Sequence, residues 1–596
     1  MKKDKNDKKK EALKVLRHTA EHILMQAMDA LWPGKIIKAM GPATDDGLYF
    51  DFEIKGDLKI TVDDFLKIES EIDKIVEKDL PLIRKEVSVK EARGLFKANP
   101  YKQEWLDEIE KRGEKATIYY TGGPGSELAE PFVDLCSGPH LKSTGQVVAV
   151  KLLSVAGAYW HGDEKNKMLT RIYGTAFPDK KSLVEYLKMI EEVKKRDHRK
   201  IGKELDLFSF HPAGQADVFW HHKGYLIFKE LVEYWRWIHD REGYLEVRTP
   251  EILTKAIWDQ SGHTKNFLHK MYRVLTPESK EWDMCIKPMN CDGGMLIYQT
   301  KQWSYRDFPL KVAELGVVHR YESSGEVLGI IRPREFTQDD AHIYCTPEQI
   351  KEELKKVIDL SFEVYQTFGL ELDHLELSTR PENSIGSDQV WERAESIMRQ
   401  VLKENDIRHQ INEGDGAFYG PKFDFHLKDA IGRTWQCATI QLDFAQPENF
   451  DLEYVTKKGV RERPVMIHRT LYGSVERFLG ILIENYAGAF PVWLSPVQAV
   501  VLPVTKEQND YAEKVFSSLK EVSIRVELDG SHNTLSYRIR QAEIQKVPYI
   551  IVVGAKEVEG NFLAVRKRSS AKIENQTLAE FLKMIKEKIK ERSLEI

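Results

Sequence analysis

A chain of 596 residues is too long for one hydrophobic core, so its length predicts roughly two to four domains. Charged residues make up 31% and hydrophobic residues 42%, the balance of a soluble globular protein. The net charge of −5 excludes a global basic field, so any surface that binds nucleic acid has to be local.

Three features predict a cytoplasmic protein. The first ten residues, MKKDKNDKKK, lack the apolar core of a signal peptide, and we expect residues 1–10 to form a disordered basic tail. No run reaches the ~18 apolar residues of a membrane span, so we expect no membrane partner. Five cysteines without a CxxC pair favour a reducing cytosol over a disulfide framework.

The predicted elements divide the chain after this tail into four parts. Residues 11–31 carry apolar residues at helical spacing and end at Trp32-Pro33-Gly34. Short strand-like runs and helices follow, which predicts a compact α+β domain over residues 11–180. A charged helical connector is expected over residues 181–205.

The largest unit is predicted over residues 206–495, with many strand-like runs around motif-rich loops. From Pro496 onward three strand-like runs alternate with two helical runs. That alternation predicts a small α/β domain with a largely parallel sheet over residues 496–596.

Residues 319–345 combine two strand-like runs with an unusual density of polar side chains. Four charged residues follow the first strand or precede the second: Arg320, Glu322, Arg332 and Arg334. Because successive strand side chains point to opposite faces, four alternate residues of the second strand share a face: Phe336, Gln338, Asp340 and His342. The planar fork of arginine favours bidentate contact with phosphate, so the stretch predicts a nucleotide held on a sheet.

His18 and His22 lie four residues apart on the first predicted helix and therefore share a face. The string HTAEH also fits the inverted zincin pattern HxxEH, in which two histidines bind zinc and the glutamate is a base. Cys136 and His140 offer a second pair four residues apart. Together the four residues suit either a metal or a polar site for a small substrate. Surface histidines on an amphipathic helix would explain either motif alone.

Cys291, His342 and His468 could form a Cys/His/His zinc site with one open position. Their separations are too long for a spacing rule, so a core cysteine and two hydrogen-bonded histidines remain an alternative. After His468 the sequence predicts a loop and then a helix, with Arg477 in its first turns. A helix N-terminus beside an arginine suits an anion, although an ordinary amphipathic helix with a surface arginine would look the same.

From about residue 11 to 590 the chain resembles the threonyl-tRNA synthetases, a family of class II aminoacyl-tRNA synthetases. GYLEVRTPEI, with Pro250, resembles motif 1, which builds the dimer interface in class II enzymes. HRYE…IRPREF resembles motif 2, and GSVERFLGILIE resembles motif 3. The strings KPMNC, FTQDDAHI and MIHRTLYGS match parts specific to the threonine enzymes. The match is specific because these long motifs occur in the right order.

The resemblance implies an α+β multidomain fold. Its parts are a class II catalytic core with an antiparallel sheet, an N-terminal α+β editing domain and a C-terminal α/β anticodon-binding domain. It further implies a homodimer that activates L-threonine with ATP and Mg²⁺, and transfers it to the 3'-terminal adenosine of tRNA(Thr). A non-enzymatic RNA-binding paralogue is the alternative, although the retained Arg320, Glu322 and Arg477 argue against it.

In this family the cysteine and the two histidines bind one zinc ion per subunit, which implies the same for Cys291, His342 and His468. Threonine would complete the coordination through its amino and hydroxyl groups. Valine lacks the hydroxyl, and a site that requires a polar contact rejects such an analogue by roughly 10⁴–10⁵.

The resemblance also assigns the remaining residues of the active site. For ATP it implies Arg320 on the α-phosphate, Glu322 on the adenine amine and Arg477 on the γ-phosphate, with Arg332 nearby. Around the amino acid or the tRNA terminus it implies Gln338, Asp340, Tyr419, Lys422, Gln436 and Gln441. The catalytic set implied is Arg320, Gln338, Arg477 and His263, the last matching a histidine implicated in transfer to the tRNA ribose.

Serine has the same two ligand groups as threonine, and one methyl group is worth only ~1–3 kcal/mol, so a second, hydrolytic site is expected. The strings HTAEH and DLCSGPH resemble the family's editing motifs. The residues carried over are His18, His22, Cys136, His140, Lys102, Asp134 and Tyr49. Because this family edits without a metal, we favour activation of water by polar groups over a zinc peptidase.

The C-terminal domain resembles the class IIa anticodon-binding domain, and Glu557 and Arg566 match anticodon contacts of the family. The cluster Arg566-Lys567-Arg568 could contact the anticodon or could be a solvated turn. Three departures stand out. We expect no ubiquitin-like N-terminal domain, His532 replaces an anticodon-reading asparagine and has Asn533 beside it, and the family's NCPGH is changed here to Asn290-Cys291-Asp292-Gly293-Gly294.

Overall fold

The computed structural model describes residues 2–44, 46–123, 131–568, 570 and 572–596. Its contacts divide the chain into two compact units, Met1–Glu191 and Glu192–Ile596. Among the described helices, none is both long and apolar enough to cross a membrane.

The first unit contains two antiparallel sheets, in strand orders β1-β2-β7-β6 and β3-β4-β5. Its elements are α1 (Lys2–Leu31), β1 (Ile36–Met40), β2 (Leu48–Ile54), α2 (Phe65–Glu77), β3 (Leu82–Val87), α3 (Val89–Leu95), α4 (Pro100–Lys111), β4 (Ala116–Thr121), β5 (Phe132–Leu135), β6 (Ala149–Tyr159) and β7 (Met168–Phe177). Helix α1 buries Ile23 and Leu24 in one core cluster with Phe50, Phe52 and Ile172 of the four-stranded sheet.

Helix α1 begins at Lys2, so it includes residues 2–10, for which we expected a disordered tail. No glycine or proline interrupts residues 2–32, and lysine has a good helix propensity, so the helix can extend into the charged run. The helix ends at Leu31, where Pro33 and Gly34, with φ of +69°, stop it as predicted.

The connector is helical, as predicted, and consists of α5 (Lys180–Arg196) and α6 (His198–Glu204). The elements that follow are β8 (Phe208–Ser209), β9 (Phe219–Trp220), α7 (His222–Arg241), β10 (Leu245–Glu246), β11 (Ile252–Thr254), α8 (Lys255–Gln260), α9 (His263–Asn266), β12 (Arg273–Val274), β13 (Met284–Ile286), α10 (Cys291–Gln299), β14 (Trp303–Ser304), β15 (Leu310–His319), β16 (Glu335–Cys345), α11 (Ile350–Thr367), β17 (Glu371–Ser378), α12 (Asp388–Glu404), β18 (Gln410–Asn412), β19 (Lys422–Lys428), β20 (Thr434–Asp443), α13 (Ala445–Asn449), β21 (Tyr454–Val455), β22 (Arg461–Glu462), β23 (Val465–Thr470) and α14 (Val475–Tyr486).

An eight-stranded sheet organises this part, in the order β10-β15-β16-β23-β20-β19-β17-β18. Its central pairs are antiparallel, and only the edge pairs β10–β15 and β17–β18 are parallel. Helices α7, α11 and α14 share one hydrophobic core with these strands. The helices therefore cover one face of the sheet and leave the polar residues of β16 on the other.

The last part of the chain contains a five-stranded sheet in the order β25-β24-β26-β27-β28. Its elements are β24 (Ala499–Pro503), α15 (Asn509–Glu521), β25 (Val526–Leu528), α16 (Leu535–Ile544), β26 (Tyr549–Val553), α17 (Ala555–Gly560), β27 (Leu563–Lys567), β28 (Ile573–Gln576) and α18 (Leu578–Lys590). Short 3₁₀ turns elsewhere are Val62–Asp64, Thr144–Gln146, Trp160–Gly162, Pro212–Gly214, Leu268–Lys270, Tyr305–Asp307 and Lys506–Gln508.

The prediction of a largely parallel C-terminal sheet is correct for the first three strands and wrong for the last two. β24 pairs in parallel with β25 and β26, whereas β26–β27 and β27–β28 are antiparallel. The connection between Val553 and Leu563 is shorter than the roughly twelve residues that a parallel crossover needs, so the chain turns back instead.

Candidate functional sites

A cavity of about 80 Å³ lies on the polar face of the eight-stranded sheet. Eight predicted residues line it together: Cys291, Arg320, Gln338, Asp340, His342, Tyr419, Gln441 and His468. The cross-strand register brings them together, because His342 of β16 and Gln441 of β20 are both partners of His468 on β23. The strand face predicted from alternation is therefore the wall of a site.

The rings of the two histidines in the predicted metal set lie close together. Their ring centroids lie 5.0 Å apart at an interplanar angle of 87°. Nε2 of His468 lies 2.9 Å from Oδ2 of the buried Asp443, and Nδ1 has no hydrogen-bond partner among the described residues. Carboxylates in this position orient metal-bound histidines. His342 has no hydrogen-bond partner among the described residues, and burial holds its pKa well below the ordinary value. A neutral, unpartnered imidazole fits a zinc ligand.

Cys291 is the first residue of helix α10, and its side chain contacts Asp292 instead of the two histidines. Its thiol donates to Oδ1 of Asp292 at 3.4 Å. Within the described residues, Cys291, His263 and Asp292 form a group whose donor atoms all lie within 4.8 Å of one another. The Cys/His/His set therefore has the right chemistry, but the thiol has to turn from Asp292 to join the two histidines.

His263 is fully buried next to Asp292. It is not among the described residues that line the cavity. Its Nδ1 lies 2.7 Å from Oγ of Ser261 and 3.4 Å from Oδ2 of Asp292. Its Nε2 lies 3.2 Å from the sulfur of Met289. The side chain of Asp292, a residue that differs from the family motif, therefore contacts both Cys291 and His263.

Arg320 is fixed at the end of β15 by two acceptors. Its guanidinium donates to the carbonyl oxygen of Pro288 at 3.1 Å and to Oε1 of Gln338 at 3.0 Å. Asp340 accepts from Nδ2 of Asn290 at 2.8 Å, and burial raises its pKa to about 6. A positive fork and a carboxylate thus face the same small cavity.

Glu322 and Arg332 pair with each other instead of lining this cavity. Nη2 of Arg332 lies 2.9 Å from Oε2 of Glu322, and Nζ of Lys270 lies 2.8 Å from the same oxygen. Glu322 is buried, whereas the side chain of Arg332 is 42% exposed. The predicted ATP contacts of both residues stay predictions.

Arg477 lies in the first turn of α14, where Ser474 caps the helix by accepting from the backbone N–H of Arg477 at 3.1 Å. Its Nε donates to the carbonyl oxygen of Gln436 at 2.8 Å. The side chain of Gln436 donates to Asp424 at 2.6 Å, and Lys422 lies 2.8 Å from the same carboxylate. These residues form a neighbouring network on β19 and β20, while the hydroxyl of Tyr419 donates to Gln441 in the cavity wall.

The first unit contains a cavity of about 690 Å³ beside helix α1. Sγ of Cys136 lies 3.3 Å from Nε2 of His18 and 3.3 Å from Nε2 of His140. With His22, these residues offer donor atoms within 4.8 Å of one another. Burial raises the pKa of Cys136 to about 12 and lowers the pKa of His140, which favours a neutral thiol and a neutral imidazole in this cluster. The two predicted motifs do meet.

A buried ion pair completes this cluster. Nζ of Lys102 lies 2.9 Å from Oδ2 of Asp134, and both side chains are almost fully buried. Glu21 is fully buried, and its carboxylate oxygens have no hydrogen-bond partner among the described residues. Burial and the nearby Asp134 raise the pKa of Glu21 well above its ordinary value, which disfavours the charged carboxylate that a zincin base requires.

Neither Tyr49 nor His140 is among the described residues that line this cavity, but His140 contacts Cys136, whereas Tyr49 lies apart from the cluster. The ring of Tyr49 lies under the guanidinium of Arg171, which is 3.8 Å from the ring centroid. Arg171 is itself paired with Asp51 at 2.6 Å. Alternation along β2 gives Tyr49 and Asp51 the same face of the sheet.

The predicted anticodon residues are partly occupied by contacts within the domain. Glu557 caps its own helix, accepting from the backbone N–H of Gly554 at 2.9 Å, and Arg566 pairs with Glu543 at 2.6 Å. Arg568 donates to three backbone carbonyls, of Lys546 at 2.6 Å, Ala489 at 2.9 Å and Phe490 at 2.7 Å. Arg568 is therefore a structural cation, whereas His532 is exposed.

Three family models match the chain. One described as tRNA synthetase class II core domain (G, H, P, S and T) matches residues 272–486. One described as anticodon binding domain matches residues 498–588, and one described as threonyl and alanyl tRNA synthetase second additional domain matches residues 117–173.

Curated relatives match nearly the whole chain. A threonine–tRNA ligase of Clostridium botulinum strain Langeland is 52% identical over 97% of this chain and 89% of that protein. The chain belongs to the threonine–tRNA ligase family. A second such ligase, from Caldanaerobacter subterraneus, is 50% identical over 98% of this chain and 88% of that protein.

A crystal structure titled as the RNA binding domain of a threonyl-tRNA synthetase from Cryptosporidium parvum is similar, with a TM-score of 0.63. It is 37% identical and covers 66% of this chain and 98% of that chain. Membership of the threonine–tRNA ligase family confirms the predicted enzyme class, the class II core, the editing domain and the anticodon-binding domain.

Several residues of the site were not predicted. Asn290 holds Asp340, and Thr439, Arg469 and Thr470 line the same cavity. Asn290 could have been found, because it precedes Cys291 in the matched motif. The other three become recognisable only when the register of β20 and β23 is known.

Proposed function

We propose that this enzyme activates L-threonine with ATP to form threonyl-adenylate and pyrophosphate, and then transfers the threonyl group to the 3'-terminal adenosine of tRNA(Thr). The main support is the cavity on the sheet, where Asp340, Gln441 and His342 face one space beside Arg320. A carboxylate suits the amino group of an amino acid, and an arginine fork suits a phosphate. The cytoplasm is the proposed location.

Cys291, His342 and His468 would hold one zinc ion per subunit, once the thiol turns from Asp292. When bound, zinc would recognise threonine through its amino and hydroxyl groups. Asp443 would orient His468 for this role through the hydrogen bond at 2.9 Å. Asp340 and the Tyr419–Gln441 pair would fix the amino acid from the other strands of the wall.

For ATP, we propose that Arg320 exchanges its contact with Gln338 for the α-phosphate. Arg477, at the capped start of α14, would meet the γ-phosphate, and Mg²⁺ would neutralise phosphate charge. Glu322 would accept the adenine amine, which requires one of its present cations, Lys270 or Arg332, to move.

The test of aminoacylation is threonine-dependent ATP–pyrophosphate exchange, with threonine, serine and valine in parallel. We expect His342→Ala to lose exchange by on the order of 10²-fold or more, since it removes a proposed ligand of the zinc ion that would recognise threonine. His409→Ala removes an exposed histidine and should leave the rate unchanged. Exchange in the unchanged chain that does not depend on threonine would refute the proposal.

We further propose that the first unit hydrolyses serine from mischarged tRNA(Thr). His18, Cys136 and His140 would position a water molecule by hydrogen bonds, and the paired Lys102 and Asp134 would hold the charged part of the site. Deacylation of seryl-tRNA(Thr) is the test. Unchanged hydrolysis in both Cys136→Ala and His18→Ala would overturn this assignment, irrespective of the exchange result.

A further inference from the structure

Two histidines and a glutamate meet on β17 and β19 of the eight-stranded sheet. His374 and His426 are cross-strand partners, and their rings stack with centroids 4.4 Å apart and an interplanar angle of 6°. Nε2 of His374 lies 3.1 Å from Oε1 of Glu376. Nε2 of His426 lies 3.4 Å from Oε2 of the same carboxylate. One donor atom from each residue lies within 4.8 Å of the other two.

One nitrogen atom of this cluster makes no hydrogen bond to the described residues. Although it lies near Glu376, Nε2 of His426 is inaccessible to solvent and has no hydrogen-bond partner among the described residues. A triad built only for hydrogen bonding would satisfy this nitrogen, because a buried polar atom without a partner costs free energy. A cation between the three side chains would satisfy it.

The groups around the triad resemble the outer ligands of a metal site. Nδ1 of His374 lies 2.8 Å from Oδ2 of Asp373, which directs Nε2 towards Glu376. Nδ2 of Asn412, on β18, donates to Oε2 of Glu376 at 3.0 Å. Histidines that bind metals usually donate their second N–H to such a carboxylate, and ligating carboxylates are hydrogen-bonded in turn.

The donor chemistry selects the class of metal. Two imidazoles and one carboxylate with an open position suit a divalent transition ion such as zinc or iron(II), and zinc needs no redox partner. Calcium and magnesium prefer oxygen ligands throughout, and copper(I) prefers sulfur. All three side chains are about one-fifth exposed, so the cluster lies near the surface, and an ion would reach the buried Nε2 of His426 after a small side-chain movement.

We propose that His374, Glu376 and His426 form a zinc site that joins β17 to β19 at the outer edge of the catalytic sheet. The site shares no residue with the zinc ligands proposed for threonine recognition and does not depend on that proposal. Because Asn412 of β18 donates a hydrogen bond to Glu376, a bound ion would fix three neighbouring strands. β19 also carries Asp424, which accepts a hydrogen bond from Gln436, so the ion would also stabilise the strand that holds this contact.

The first test compares zinc content of the full chain with that of His374→Asn/His426→Asn after equilibration with buffered zinc. We expect the double variant to hold one zinc equivalent less than the unchanged chain, with cobalt replacing that zinc without a thiolate charge-transfer band. The control His409→Asn alters an exposed histidine near β18 and should lose no zinc. Equal zinc content in the double variant and the unchanged chain would overturn the proposal.

A second test avoids altering the ligands, in case the double variant fails to fold. Asp373→Asn keeps the size of the side chain that orients His374 but removes its charge. We expect zinc affinity at this site to fall by roughly 10–100-fold, measured by competition with a zinc indicator. Threonine-dependent exchange serves as the independent readout of the other site and should not change. A zinc affinity equal to that of the unchanged chain would contradict a metal role for the triad.

Discussion

The side chains of His468 and Asp443 form a buried hydrogen bond, with Nε2 of the imidazole 2.9 Å from Oδ2 of the carboxylate. The other carboxylate oxygen, Oδ1, accepts the backbone N–H groups of Ala445 at 2.7 Å and Gln446 at 3.0 Å. The first turn of α13 therefore fixes the carboxylate, and the carboxylate fixes the imidazole. This arrangement connects a short helix to the orientation of a proposed zinc ligand.

Asp443→Asn should weaken zinc binding at the threonine site by roughly 10–100-fold, because the neutral amide orients and polarises the imidazole less well. Zinc retention during dialysis against a graded chelator measures the effect. Asp451→Asn is the matched control, since Asp451 is exposed and pairs only with Arg463 at 2.8 Å. Equal retention in Asp443→Asn and the unchanged chain would show that the hydrogen bond does not serve a metal.

Lys102→Met should destabilise the first unit by about 3–5 kcal/mol, because it leaves the carboxylate of Asp134 buried without its cation. Hydrogen–deuterium exchange of amides in α4 and β5 of the full chain reports the loss locally. Lys97→Met removes an exposed lysine from the same region and should have little effect. The double variant Lys102→Met/Asp134→Asn should recover part of the protection; no recovery would argue against an electrostatic cause.

The stability of the second unit should depend on the ionisation of Glu476. Burial raises the pKa of this carboxyl to about 7, although it accepts the backbone N–H of Thr337 at 2.8 Å. Between about pH 4.5 and pH 7 the unfolded chain loses this proton while the folded chain keeps it. The free energy of unfolding should therefore fall with rising pH by on the order of 1 kcal/mol per unit in this window, and level off above it.

Urea unfolding of the full chain across this window, followed by a probe in the second unit, measures the dependence. Glu476→Gln should flatten it, because the amide cannot ionise. Glu462→Gln changes an exposed glutamate and should keep the original slope. A slope that is the same in Glu476→Gln would assign the dependence to other groups.

Gly41→Ala should impair editing and spare amino-acid activation. A Cβ at this position would lie 1.6 Å from Oε1 of Glu21, which is fully buried and cannot withdraw into solvent. The resulting shift of α1 would move His18 and His22, so we expect seryl-tRNA(Thr) hydrolysis to fall by on the order of tenfold. Gly94→Ala is the control, because a Cβ there meets no atom within 4 Å. Normal hydrolysis in Gly41→Ala would contradict the placement of Glu21.

The proposed homodimer rests on the resemblance of residues 243–252 to motif 1, and two apolar side chains in this segment are exposed. Leu245 is 57% and Ile252 46% exposed. Leu245→Asp should dissociate a dimer into monomers in sedimentation velocity, since a charge would replace a buried contact. Leu275→Asp changes a 62% exposed leucine outside the motif and should leave the association state unchanged. A monomeric unchanged chain would refute the proposed dimer.

Local periodicity predicted the parts of the fold that depend on neighbouring residues. Helical spacing placed His18 and His22 on one face of α1. Strand alternation placed Gln338, Asp340 and His342 on one face of β16. The stacking of His374 on His426 could not be predicted, because a long segment with its own helix separates them and only register brings them opposite. Likewise the raised pKa of Glu21 depends on burial by elements far along the chain.

Roles taken from the family needed the structure for a different reason. The replacement at Asp292 is visible in the sequence, but its contacts are not. Its carboxylate accepts a hydrogen bond from the thiol of Cys291 and lies near His263. Arg568 looked like part of a basic surface, but it donates to backbone carbonyls. A side chain's charge predicts that it has a partner, whereas the identity of that partner depends on the packed structure.

The three carbonyl contacts of Arg568 have a mechanical consequence. Ala489 and Phe490 lie shortly after the end of α14 at Tyr486, and Arg477 lies in the first turn of the same helix. Arg568 of the last domain therefore anchors the chain just beyond the far end of the helix that carries Arg477. Rigid secondary-structure elements can carry coupling between distant parts of a protein. A displacement of Arg568 would therefore reach the helix that carries Arg477.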